Sequence, residues 1–309
     1  MTVAREDGQT LALTVLFVTV LLGLAALVVD VGAWFRESRR LQAVVDAAAL
    51  AGAQALPADP AAATQLARDY ALKNGGDVAP EDVSVRERDE IHVRASTPAP
   101  GLFGRVLGVA SFDIAASATA ASVAIGAARG AAPIAVPESH PLLQCVPEPC
   151  FDQSTTLNLL NLNDPGSSGS GAFGLVNFET AGKGTASAGT VAGWIRSGYQ
   201  GYIEADPGYS DVEDYSSATG AKFNSSDISA ALSEKIGKEL LFPVYRSISG
   251  SGQNARYDIV GWVGFRLESF SGSGSSGTIR GMFRRVTWEG SEGTGDAVDF
   301  GARAVRLSS

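Results

Sequence analysis

Cysteine, histidine and lysine are scarce in this chain of 309 residues, at two, two and five. His92 falls within a strand pattern and His140 precedes Pro141. Neither has a Cys, Asp or Glu at metal-ligand spacing, so no metal centre is expected. No G-x-S-x-G nucleophile elbow occurs. The runs Gly169–Gly174 and Gly272–Gly277 both match G-x-G-x-x-G, but both sit in Ser/Gly stretches without a strand-to-helix context, so no dinucleotide is expected. "AGKGT" lacks P-loop spacing. Asp206, Asp211, Glu213 and Asp214 lack EF-hand spacing and read as a solvated acidic loop. The net charge of −9 and pI near 4.8 argue against nucleic acid as a partner, despite a small basic group at Arg280, Arg284 and Arg285. The expectation is a protein with no cofactor, no catalytic residues and no enzymatic activity.

Charge is also missing from Thr10 to Val29, where Thr10, Thr14 and Thr19 are the only polar side chains. A helix crosses a bilayer in about 20 apolar residues, and threonine hydroxyls can bond back to helix carbonyls. A cleaved signal would have a shorter apolar region and an A-x-A-like site. The expected assignment is residues 1–9 as a cytoplasmic tail and 10–29 as a single transmembrane helix. Asp30 closes the span and Trp34 sits at interfacial depth. From Phe35 to Leu56 there is no proline and one glycine, Gly52. Phe35, Leu41, Val44, Val45 and Ala48 recur at helical spacing. Alanine, the best helix former, then dominates up to Pro57. Residues 30–56 are therefore a juxtamembrane continuation of the same helix. Its small Ala face would admit close packing against another helix, including a second copy of the chain.

Residues 57–125 read as a small α+β domain. Asp59 is a helix cap followed by Pro60. Leu66, Tyr70 and Ala67 make the apolar face, and Gly75 suits the stop. "VSVRER" and "IHVRAST" alternate around Asp89-Glu90 as a hairpin. Phe103, Val106 and Leu107 mark a short helix, and Phe112, Ile114 and Ala116 alternate as a strand. Such a domain has a sufficient core only if it packs on the rod. Residues 126–309 form a β-rich domain with two helices. One presents Val191, Trp194 and Ile195. The other is capped by Ser226 or Asp227 and presents Ile228, Leu232 and Ile236. "LLFPVYRSI", "ARYDIVGWVGFRLESF" and "GTIRGMFRRVTW" read as strands, the last two joined by "SGSGSSG".

Cys145 and Cys150, in "CVPEPC", are expected to form a disulfide, with free thiols or a half metal site as alternatives. A close pair suits an oxidising compartment. Arg36, Arg39 and Arg40, counted alone, would hold the rod in the cytoplasm. Against this stand the long domain after the span, the cysteine pair and the Gly/Ser/Thr/Asn-rich, lysine-poor composition.

The stretch from Gly8 to Leu56 resembles the N-terminal segment of TadE/TadG-like Flp pilus-assembly proteins. The matching residues are Gly8, Gln9, Val29, Asp30, Gly32, Arg39, Arg40, Leu41, Gln42, Ala43, Asp46, Ala47, Ala48, Ala49, Leu50, Ala51, Gly52 and Ala53. "VSVRERDEIHVRASTPAPGLFGRVLGVASFDIAASATA" is similar, more loosely, to that family's strands and short helix. The resemblance implies an extracytoplasmic bulk, a cytoplasmic N-terminus and other pilus-assembly proteins as partners. Pilin-like members carry a glutamate soon after the processing-site Gly, whereas Gly8 is followed by Gln9, Thr10, Leu11, Ala12 and Leu13. An uncleaved N-terminus is expected. Longer members have a von Willebrand A-type metal site. Asp152–Thr156, "DQSTT", fits D-x-S-x-T but does not follow a hydrophobic strand.

The leading expectation is a non-enzymatic, single-pass accessory component of a Flp/Tad-type pilus or secretion system, acting by protein–protein contact in the cell membrane. The alternative is a membrane-anchored extracytoplasmic enzyme or ligand binder with its site in the β-rich domain.

Overall fold

The computed structural model describes residues 7–101, 103–108, 111–158, 174–179, 186–205, 215–218, 225–250, 255–273, 276–291 and 298–308. A long N-terminal helix leads into a helix-and-sheet unit, followed by a β-rich α+β unit. The first unit holds residues up to Ser122 together with Val305–Ser309, and the second holds Val123–Ala304.

In the first unit, helix α1 (Asp7–Ala53) is 47 residues long and unbroken. Side chains from Leu11 to Val29 lie open on every face. From Leu41 onward one face is buried, through Val44, Val45, Ala48, Ala49 and Ala53. Helix α2 (Pro60–Lys73) packs against it, and Asp59 caps α2 by accepting from the Ala62 amide. The face α2 buries is Ala63, Ala67 and Ala71, whereas Tyr70 is exposed and Leu66 only half-buried. The bulky face expected from the sequence is therefore turned away. The reason lies at Gly52 of α1. A Cβ there would stand 2.6 Å from Ile91 Cδ1 and 2.9 Å from the Ala63 carbonyl oxygen. Helices this close leave room only for methyl groups at their crossing.

Strands β1 (Val83–Arg86) and β2 (Glu90–Pro100) make the expected hairpin, with Arg86 opposite Glu90. Glu87 and Arg88 take positive φ in its turn. Strand β3 (Ser111–Ala124) runs antiparallel to β2 over its whole length. Ile91, Val93, Ala95, Ile114, Ala118 and Ala120 complete one core with the α1 and α2 faces. Phe112, Ile114 and Ala116 lie on this strand as expected, and Phe112, at its start, is exposed and stacks on Trp34 at 5.5 Å.

The second unit begins with β4 (Ala127–Ala128), β5 (Val136–Pro137), β6 (Ser154–Asn158) and β7 (Val176–Asn177). Helix α3 (Ala188–Ser197), β8 (Ile203–Glu204), β9 (Tyr215–Ser217) and helix α4 (Ser226–Lys235) follow. Its centre is the antiparallel run β10 (Glu239–Ser249), β11 (Arg256–Ser273) and β12 (Ser276–Arg284), with β6 at the edge of β12 and β5 parallel to β10. Phe242, Tyr245, Tyr257, Trp262, Phe265 and Phe283 fill the core. Val191, Trp194 and Ile195 of α3 face inward as expected. Helix α4 is capped by Ser225 rather than Ser226 or Asp227, and it buries Ile228, Ala231 and Leu232 while Ile236 stays exposed at its end.

Short strands β13 (Val286–Thr287), β14 (Gly290–Ser291) and β15 (Val298–Asp299) lead to β16 (Ala302–Ser308). Strand β16 starts parallel to β13 in the second unit. It ends in the first unit as the neighbour of β3, where Val305 packs on the core and the Ser308 hydroxyl donates to Glu90.

Candidate functional site

The segment of α1 from residue 30 to residue 53 collects most of the residues singled out in the sequence. Asp30 follows directly on the apolar run, yet its side chain is 1 % exposed. Its carboxylate accepts from the backbone N–H of Phe103, at 3.0 Å to Oδ2, and of Gly104, at 2.7 Å. These amides open the short helical turn Gly104–Leu107 in the connection between β2 and β3. A carboxylate accepting from backbone amides forms charge-assisted hydrogen bonds. Asp30 thus ties that connection to α1 at the last turn of the apolar run.

The next positions act in the same way. Arg40 is held by Glu37 at 2.9 Å and donates from Nη1 to the Gly75 carbonyl beyond α2. Gln42 donates to Asp46 at 2.7 Å and to the Ser117 carbonyl of β3 at 3.1 Å. Leu41, Ala48 and Ala49 are buried in the core, and Ala47 is half-buried. The Ala face that the sequence offers for a second helix is thereby filled by α2 and β2 of the same chain. Gly32 is the exception, because a Cβ there would meet nothing within 4 Å. With Phe35, Arg36, Arg39 and Ala43 it forms an exposed face of α1, along which the Arg39 guanidinium lies 4.6 Å over the Phe35 ring. Gly8 and Gln9 fall in the first turn of α1.

Residues 8–55 match the TadE/G-like Flp pilus-assembly family. No curated protein and no solved structure matches the chain. The TadE/G-like segment ends two residues past α1, so it coincides with the helix. Its polar positions Asp30, Arg40 and Gln42 each bond to backbone contributed by a different part of the first unit. Sequence reasoning named these residues as a motif without seeing what they hold. The signal that was available for Asp30 is the helical spacing that puts it in line with the apolar positions. Asp30, Glu37, Leu41, Val44, Val45 and Ala48 fall on one side of a helix, the side that a domain of small alanines must cover.

In the second unit Cys145 and Cys150 are joined in a disulfide, with Cα atoms 5.6 Å apart. Asp152 of "DQSTT" is ion-paired with Arg284, and Ser154–Asn158 is the edge strand β6. Arg280 faces Glu268 at 3.6 Å and Arg285 pairs with Glu148, so the basic group is matched by carboxylates. Gly272 and Gly277 are register partners in the β11–β12 hairpin. Asp206, Asp211, Glu213, Asp214 and most of the Gly169–Gly174 run lie outside the described residues. One open cleft of about 520 Å³ is lined by Arg129, Trp194, Arg196, Gln200, Lys235 and Trp288, among others. Two of its cations are partnered, Arg129 with Glu289 and Arg196 with Glu234. Burial and the neighbouring Lys238 push the Lys235 ammonium below its ordinary range.

Proposed function

We propose that the protein is a membrane-anchored, non-enzymatic accessory component of a Flp/Tad-type pilus-assembly system, working through contacts with other pilus-assembly proteins. The supporting observation is the form of α1. One unbroken helix carries an apolar stretch long enough to cross a membrane, then the TadE/G-like signature that holds the first unit to it. Such a helix transmits position rather than chemistry. It holds a folded unit at a fixed height above the bilayer and leaves the Gly32, Phe35, Arg36, Arg39 and Ala43 face for a partner helix. Self-association would use this face or the span, because the Ala face is covered. Chemical crosslinking in membranes followed by pull-down of the full chain is expected to recover other pilus-assembly proteins. Recovery of none, under conditions that crosslink a known partner pair of the same system, would sink the proposal.

The N-terminus lies in the cytoplasm and the bulk outside it, on this reading. A long domain translocates largely regardless of nearby arginines, and the disulfide suits an oxidising compartment. Reporter fusions after residue 308, one active only when exported and one only in the cytoplasm, decide the orientation. Retention of the intact chain in carbonate-washed membranes checks the anchor.

The cleft beside Trp194 and Trp288 favours a second reading, an anchored binder of a small anionic or carbohydrate ligand. A ligand screen by thermal shift, repeated with Trp288→Ala, separates the two. Ligand stabilisation lost in that variant would support binding in the cleft.

A further inference from the structure

The connection between β2 and β3 is held at the height of Asp30, one residue beyond the apolar run of α1. Large apolar side chains gather there in the open. Phe103 is 48 % exposed and Phe112 56 %. Phe112 lies flat on Trp34. Arg105, in the turn that Phe103 leads into, is an exposed cation. Of the acids nearby, Asp30 is taken up by amides and Glu37 by Arg40, while Asp113 is exposed on β3. Aromatic rings bordered by arginines are the composition of a membrane interface, where rings sit at headgroup depth and guanidinium groups reach phosphates. Val28, Val29 and Val31, next to Asp30 in the sequence of α1, are themselves exposed.

We infer that the end of the β2–β3 hairpin is a second membrane-contacting element. It rests in the boundary between headgroups and acyl chains, with Phe103 and Phe112 in the apolar layer and Arg105 at the phosphates. The inference builds on the proposed anchoring by residues 10–29. A bilayer is favoured over a protein as the occupant because the span already brings lipid to that height. The consequence is a two-point attachment. A span alone leaves a domain free to swivel, whereas a span together with a docked hairpin fixes the tilt of the first unit against the membrane plane.

Depth measurement on the full chain tests this. Cys145 and Cys150 are bonded to each other, so an introduced cysteine is the one thiol to react. Phe103→Cys and Phe112→Cys are each labelled with a polarity-sensitive fluorophore, with Leu16→Cys as a span marker and Ser84→Cys on β1 as a water marker. The proteins are reconstituted in phosphatidylcholine–phosphatidylglycerol vesicles that carry lipids spin-labelled high on the acyl chain. Labels at 103 and 112 are expected to be quenched several-fold more than the label at 84. If 103 and 112 behave like 84 while 16 is quenched, the hairpin stands in water and the inference falls, with the anchor intact. If 16 is not quenched either, the anchor itself has failed and the inference goes with it. Blue-shifted emission at 103 and 112 without lipid quenching would mean that protein covers the patch, which also overturns it.

Discussion

At Asp30, two backbone donors depend on one carboxylate. Asp30→Ala would leave the amides of Phe103 and Gly104 without that acceptor, and leaving buried donors unsatisfied costs about 1–3 kcal/mol. Hydrogen exchange at those two amides should accelerate in the variant, and the melting temperature should fall. Exchange unchanged at both positions would show that the carboxylate does not hold the loop. The two histidines make a second residue-scale case. Arg94 donates to His92 Nε2 at 2.9 Å, which leaves Nδ1 to bond Thr119. Burial, then Arg94 and Arg86, lower the His92 pKa. Burial lowers that of His140, whose Nδ1 accepts from the Leu142 amide. The folded values lie below the unfolded one of about 6.5, so the unfolded chain takes up protons first as pH falls. The stability these neutral rings contribute is present above about pH 6.5 and is lost as pH drops through the folded pKa values. Thermal unfolding between neutral and mildly acidic pH should show this decline. His140→Asn should flatten it more than His92→Asn, because His92 is the less buried ring.

Two glycines of one helix separate packing from propensity at the scale of the element. Gly52→Ala drives a methyl group against Ile91 and the Ala63 carbonyl, and overpacking of this kind typically costs about 1–3 kcal/mol. Gly32→Ala meets open space and gains helix propensity worth up to about 1 kcal/mol. Thermal unfolding in detergent should therefore rank Gly52→Ala below the natural protein and Gly32→Ala level with it or above. Should Gly32→Ala keep its stability yet lose crosslinks to its partners, the exposed face of α1 is the contact. The same pair explains how much could be read in advance. The apolar run, the unbroken rod and the hairpin around Asp89-Glu90 follow from local patterns of charge, proline and alternation. Periodicity also picked out Val191, Trp194 and Ile195. It misjudged α2, because Leu66 and Tyr70 carry more apolar surface than the methyl groups of Ala63, Ala67 and Ala71. What decides that face is the distance of approach to α1, and that depends on a glycine elsewhere in the chain. The role of Asp30 was hidden because its partners are backbone amides, which every residue but proline possesses.

Across the whole molecule, the two units hold together internally by different means. The second has a dense aromatic core and a short disulfide loop. Converting Cys145 and Cys150 to Ser should lower its stability by about 2 kcal/mol in the chain-entropy model, read as the loss on reduction in denaturant unfolding. The first has a core of alanines and valines, finished by the end of β16. Deleting residues 305–309 should loosen the first unit and leave the second folded. Limited proteolysis would then cut first within the first unit, along residues 111–124 whose edge β16 no longer covers, and cutting first within residues 255–284 would contradict this.

The path of β16 also imposes an order on the life of a new chain. The anchor and the first three strands are made early, but β3 keeps an open edge until residues 305–308 emerge, after the whole second unit has been translated. At about 5–20 residues per second that interval is on the order of ten seconds or more. Throughout it, an unpaired strand edge of the kind that invites foreign strands is displayed, close to the membrane under the proposed anchoring. Chains halted before residue 305 would keep displaying it. The closing strand therefore covers an edge that stays open for as long as the second unit is being made, and a chaperone or protease that reads exposed strand edges would tell finished copies from interrupted ones without inspecting the second unit at all.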